Sequence, residues 1–150
     1  GTVIRSAGAA GADAVLVSDS SVDIYNPKVV RSTAGSLFHL PVVVGVPIPE
    51  LLDRVRGSGL ALLATDGSGQ SWLGDIDLAK PHAWVMGNEA WGLESDTREA
   101  CDVVVRVPIY GNAESLNLAM AATVCLYASA AVQRTGSHSR QSHPYGIRGE

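Results

Sequence analysis

The chain has 150 residues, 46% of them hydrophobic and 17% charged, the balance of a soluble globular protein long enough for one domain with a real core. A net charge of −4 and a pI near 5.5 argue against a generic nucleic-acid binder, which carries a basic surface, while leaving room for a local basic patch. Two cysteines, Cys101 and Cys125, are too few for a disulfide framework and fit a reducing cytoplasm.

In chain order, "TVIRSAGAAG" (2–11) predicts a first helix and "DAVLVS" (13–18) a strand. The start "GTVIRSAGAAGADAV" lacks the charged head and apolar run of a signal peptide. "NPKVVRSTAG" (26–35) predicts a second helix, with Asn26 as N-cap, Pro27 at the first helical position and Gly35 at the stop. "PVVVGV" (41–46) is the next strand. A helix follows over 48–59, opened by Pro49 and closed by Gly57 and Gly59.

Further strands are expected at "LALLAT" (60–65), "AWVMG" (83–87) and "DVVVRV" (102–107), with a loop and a short helix in "EAWGLESDTREAC". These strands are short, apolar and β-branched without clean alternation, the pattern of parallel strands covered on both faces. The last helix is expected from about Glu114 to Gln133. From Leu118 to Val132 only Thr123 and Ser129 are polar, so the helix should be buried, and it is short for a membrane span of roughly 20 residues. The tail 134–150 is polar and without periodicity, as expected of a disordered segment. The whole predicts an α/β domain, a parallel sheet flanked by helices.

Ligands in such sheets bind beyond the carboxyl ends of the strands. Three strand ends lead into suggestive loops: "TDGSG", "GNEAWGL" and "PIYGNAESLN". The first is not a P-loop, because no GK[ST] follows, and no GxGxxG follows the first strand, so ATP and nicotinamide binding lose their usual support. There is no G-x-S-x-G, no H-E-x-x-H and no zinc-spaced Cys/His cluster. His39 and His82 stand alone, and His138 and His143 lie in the tail without partners. Arg5 sits in an otherwise small, apolar helix, and Lys28 and Arg31 lie one turn apart; solvated surface is the bland reading of all three. A carboxylate pair would have to be Glu89 and Glu114.

Taken together, "GTVIRSAGAAGADAVLV", "VMGNEAWGL" and "VPIYGNAESLNLAMAA" resemble, in order and spacing, the three motifs of the SpoU class of SPOUT RNA methyltransferases. The resemblance covers roughly residues 1–133. It implies an S-adenosylmethionine-dependent 2′-O-ribose methyltransferase of ribosomal RNA, ahead of transfer RNA, cytoplasmic and requiring no metal. It implies a C-terminal deep trefoil knot, which hydrophobic patterning would not propose, and a homodimer with the last helix in its interface.

Carried over by position, the resemblance assigns Gly87, Val107, Ile109 and Leu116 to the methyl donor, with Thr65 and Gly67 near its adenosine end. It assigns Glu89, Ser115 and Asn117 to the polar cluster of the active site. Arg5 would act on the ribose hydroxyl, in its own or a neighbouring subunit. Lys28 and Arg31 are implied as RNA phosphate contacts. The family's asparagine six residues before the arginine would precede Gly1, and the family's N-terminal RNA-binding domain is not in this sequence. The expectation is a catalytic domain cut from a longer protein. Two rival readings stand beside it: a non-catalytic RNA-binding or dimerisation module of the same fold, and a plain nucleotide-binding α/β domain without a knot.

Overall fold

The computed structural model describes residues 2–18, 40–87 and 92–134. The helix expected over 26–35 with Lys28 and Arg31, the polar residue Glu89, and the tail from 135 onward lie outside the described residues.

Helix α1 spans Thr2–Ala10 and strand β1 Val15–Ser18. Strand β2, Val42–Val46, leads through Pro47 into α2, Ile48–Gly57. Pro49 fits the first turn because its missing N–H is not needed there. Strand β3 is Ala61–Thr65 and β4 is Ser71–Trp72, followed by a single 3-10 turn, Leu73–Asp75. Strand β5 is His82–Val85, α3 is Ser95–Ala100, β6 is Val103–Arg106 and α4 is Leu118–Gln133.

All described strand pairs are parallel, β1 with β2 and a second sheet in the order β4–β6–β3–β5. The expected α/β class with a parallel sheet is what the structure has. Leu62 and Leu63 show why alternation was missing from the sequence. Successive side chains point to opposite faces, and both of these are buried. Leu62 packs with Leu52 and Val55 of α2, while Leu63 packs with Val105 and with Cys125 of α4. Full burial of one such side chain stabilises by about 1.5–3 kcal/mol.

Strand β6 follows β3, β4 and β5 in sequence but lies between β4 and β3. Its entry is fixed at Asp102, whose N–H donates to the Leu62 carbonyl (2.9 Å) and whose Oδ2 accepts the Leu62 N–H (2.7 Å). Its exit passes beside residues 66–69, where the Asp66 N–H donates to the Val105 carbonyl at 3.1 Å.

Two expectations need correction. The last helix begins at Leu118, not Glu114, because the Asn117 side chain accepts the Met120 N–H at 2.9 Å and caps it there. Nor is that helix buried all round. Ala122, Cys125 and Ser129 are buried, while Met120 is 52% and Tyr127 49% exposed, with Val124 and Val132 also open. Met120, Val124 and Tyr127 are spaced i, i+4, i+7 and share one stripe.

Helix α1 packs on α4 through Ile4, Ala7 and Leu126. Thr123 donates its hydroxyl to the Ala119 carbonyl, so Ser6 is the donor in the 2.7 Å Ser6–Thr123 contact between the helices. The other end of α4 is tied to β5. Trp84 Nε1–H donates to Ser129 Oγ (2.8 Å), Ser129 Oγ lies 2.7 Å from His82 Nε2, and His82 Nδ1 lies 2.7 Å from the Lys80 carbonyl. A carbonyl only accepts, so Nδ1 carries the proton, Nε2 accepts, and the Ser129 hydroxyl donates to it. The polar residue that looked out of place in an apolar helix is thereby fully paired.

Candidate functional site

The carboxyl ends of β3, β4, β5 and β6 open into one cleft with the start of α4. Thr65 and Asp66 leave β3, Trp72 lies on β4, Gly87 follows β5, and Val105 to Val107 leave β6. Ser115, Leu116 and Asn117 close the cleft from the helix side, and Thr2 of α1 reaches it. This is where an open parallel sheet gathers its ligands.

Two glycines let the loops come this close. A Cβ on Gly87 would lie 2.3 Å from the Gly92 carbonyl carbon and 2.5 Å from the Leu93 nitrogen. A Cβ on Gly69 would lie 2.8 Å from the Val104 carbonyl oxygen. In both cases the obstacle is backbone, which cannot swing away. Gly87 thus seats the two ends of the GNEAWGL segment on each other, and Gly69 seats the TDGSG loop on β6.

The loop after β3 is fixed electrostatically as well. Asp66 Oδ1 accepts from the Ser68 N–H (2.8 Å) and hydroxyl (2.6 Å), and Oδ2 faces Arg98 of α3 at 3.4 Å. The Ser68 hydroxyl, then its N–H, then the Arg98 charge hold the Asp66 carboxyl below its ordinary range against the opposing effect of burial. Thr65 donates to Met86 Sδ at 3.1 Å, joining the ends of β3 and β5. Behind the cleft, burial pushes the Cys125 thiol up to about 12, which makes it a core group and not a nucleophile.

Of the residues singled out in the sequence, Thr65, Gly67, Gly87, Val107, Ile109, Ser115, Leu116 and Asn117 all line this one cleft. Glu114, one half of the only carboxylate pair considered above, lines it too and precedes the helix cap. Arg5 is exposed on α1 and outside the cleft, one turn beyond Thr2. Asp66, Trp72 and Arg106 line the cleft without having been singled out. Asp66 stood in a loop already marked and Arg106 lay one residue from the end of an expected strand, so both were within reach. Trp72 gave no signal, because a two-residue strand is too short for a pattern. Among the described residues no group of three or more His, Cys, Asp or Glu side chains could hold a metal ion.

A family model described as the SpoU rRNA Methylase family matches residues 1–127. The chain is 44% identical over 133 residues to a 23S rRNA (uridine(2479)-2′-O)-methyltransferase of Streptomyces viridochromogenes, covering 85% of this chain and 46% of that protein. It is 39% identical over 127 residues to the 23S rRNA (guanosine(2553)-2′-O)-methyltransferase RlmP of Bacillus subtilis, covering 85% and 51%. The crystal structure of the SpoU methyltransferase AviRb from Streptomyces viridochromogenes in complex with the cofactor AdoMet superposes with a TM-score of 0.83 at 40% identity, covering 90% of this chain and 55% of that one. The chain spans about half the length of these curated relatives.

Proposed function

The chain belongs to the SpoU rRNA methylase family, and from that premise we propose that it is the catalytic domain of an S-adenosylmethionine-dependent RNA 2′-O-ribose methyltransferase, acting on ribosomal RNA in the cytoplasm. The observation that carries the reading is the single cleft into which the ends of β3, β5 and β6 and the segment before α4 all open. The residues fit the methyl donor. Thr65, Gly67 and Gly87 offer close backbone approach, and Val107, Ile109 and Leu116 offer apolar wall. When bound there, S-adenosylmethionine supplies an electrophilic methyl group on a sulfonium.

The protein's own work is orientation and charge. With its Oδ1 engaged by the Met120 N–H, Asn117 presents Nδ2 as the donor toward a ribose oxygen, beside the Ser115 hydroxyl. Glu89 orders the loop and substrate. Arginine is too weak an acid to serve as the base, so Arg5 stabilises the negative charge developing on the 2′-oxygen while the hydroxyl proton passes to water. Fixing the hydroxyl in line supplies much of the barrier reduction. Arg5 lies outside its own chain's cleft, which supports its serving a neighbouring subunit. The exposed apolar stripe of Met120, Val124 and Tyr127 on α4 supports a homodimer through that helix. Strand β6 between β3 and β4, with the 66–69 loop seated on it through Gly69, supports the trefoil knot.

Calorimetric titration with S-adenosylhomocysteine tests the reading, and absence of binding at millimolar ligand overturns it. Transfer of a tritiated methyl to ribosomal RNA then separates an enzyme from a non-catalytic module, which would bind the ligand and transfer nothing. Mixing Arg5→Ala protein with a Gly87→Val protein restores activity if Arg5 acts across the dimer. Sedimentation of Tyr127→Arg protein as a dimer would remove α4 from the interface.

A further inference from the structure

Building on the methyltransferase reading, we infer that Trp72, Arg106 and Tyr110 form a stacking lip that receives an unpaired nucleotide of the RNA substrate beside the cleft. The parallel register of β4 on β6 sets Trp72 opposite Arg106, and the guanidinium carbon lies 4.8 Å from the Trp72 ring centroid. Both side chains line the cleft. Trp72 is nonetheless 44% exposed, and Tyr110, four residues beyond Arg106, is 95% exposed. Ile109 between them is also open.

Trp72 leaves a large ring partly open on the wall of the cleft, and Tyr110 carries a second open ring on the segment that leaves β6, the kind of surface that a partner covers. What suits them is fixed by the company they keep. A guanidinium stacked on an indole presents a planar cation, and a base stacks on aromatic and guanidinium planes alike. An apolar peptide would gain nothing from Arg106, whereas a nucleotide offers a base to the rings and a phosphate to the charge. The lip also answers the charge problem set by the sequence. A chain of net charge −4 gains little from long-range attraction to a phosphate backbone, so contacts that do not depend on net charge add to what local basic groups supply. Stacking is such a contact, and it requires unstacked bases. The substrate class is therefore a single-stranded loop or bulge, not an intact duplex.

The test uses this chain with a fluorescein-labelled single-stranded RNA 12-mer and the duplex of the same sequence, read by anisotropy across a salt series. The expected result is that Trp72→Ala and Tyr110→Ala each weaken single-strand binding by about tenfold, the scale of one lost stack. The slope of affinity against salt stays unchanged, because no phosphate contact is lost. Trp72→Phe restores most of the loss, and duplex binding is weaker than single-strand binding in the parent. Binding of S-adenosylhomocysteine is measured on every variant. A variant that loses both ligands reports a damaged cleft, and Tyr110→Ala, remote from the β4–β6 pairing, then decides alone. Unchanged single-strand affinity in Tyr110→Ala, equal binding of duplex and single strand, or no RNA binding by a parent that binds S-adenosylhomocysteine overturns the lip. Failure of the parent to bind S-adenosylhomocysteine overturns the methyltransferase reading instead.

Discussion

Replacing Gly87 with alanine adds one carbon where there is no room. That carbon would sit 2.3 Å from the Gly92 carbonyl carbon, against an ordinary carbon–carbon approach of about 3.5–4.0 Å, so the two ends of the 87–93 segment must part by roughly 1 Å. Overpacking of this kind costs about 1–3 kcal/mol. In a domain this size that lowers Tm by about 2–12 °C, at roughly 2–4 °C per kcal/mol. The larger effect is on function, since a displacement near 1 Å in a positioning element costs on the order of 10²-fold in rate. Gly59, outside the cleft, is the internal control. It is a left-handed residue (φ +83°) with no described atom within 4 Å of its Cβ position, so Gly59→Ala is penalised by backbone conformation, about 1–2 kcal/mol. The assay pairs thermal melts with calorimetric titration of S-adenosylhomocysteine. Gly87→Ala should lose most of its affinity at a melting loss like that of Gly59→Ala, which should keep it. Equal affinities in the two variants would refute the claim that close approach at Gly87 shapes the site.

Asn117→Ala removes the cap of α4 and should cost about 1 kcal/mol in urea unfolding, with Asn117→Asp recovering most of it; full stability in the alanine variant would mean the cap contributes nothing. Ser129→Ala strands Trp84 Nε1–H and His82 Nε2 and should cost about 1–3 kcal/mol, whereas an unchanged melt would show that water replaces the hydroxyl. Asp66 is depressed in the folded state, so its contribution is complete above the unfolded carboxyl value near 3.8 and is lost as pH falls below it. Asp66→Asn should therefore lower Tm at pH 7 and converge with the parent toward pH 3; a constant gap across that range would remove the carboxylate charge from the account.

The strands were legible because burial on both faces leaves an apolar run that needs no tertiary knowledge. Their order was not, since nothing in "VVVR" says that it slots between β3 and β4. The start of α4 is not legible because Glu114, Ser115 and Leu116 all suit a first helical turn; only the Asn117–Met120 bond fixes the cap. The loops at the strand ends were visible as loops. That Gly69 presses on β6, or that Trp72 meets Arg106, depends on partners 35 and 34 residues away in sequence, beyond any local pattern. The resemblance named residues that share one cleft; of their neighbours, Asp66 stood in the marked TDGSG loop and Arg106 in an expected strand, while Trp72 had no motif to announce it.

The place of β6 also has a meaning for a chain still being made. Synthesis proceeds from the N-terminus, so β3, β4 and β5 leave the ribosome before the strand that joins β3 to β4 exists. Until residue 106 emerges, β3 has a partner on its β5 side only, and its other edge is a bare template for any passing strand. The nascent protein therefore carries an open slot for the time needed to make the 30-odd residues after β4. Its solubility during that interval rests on whatever shields the slot, and the domain closes only when its own later strand fills it.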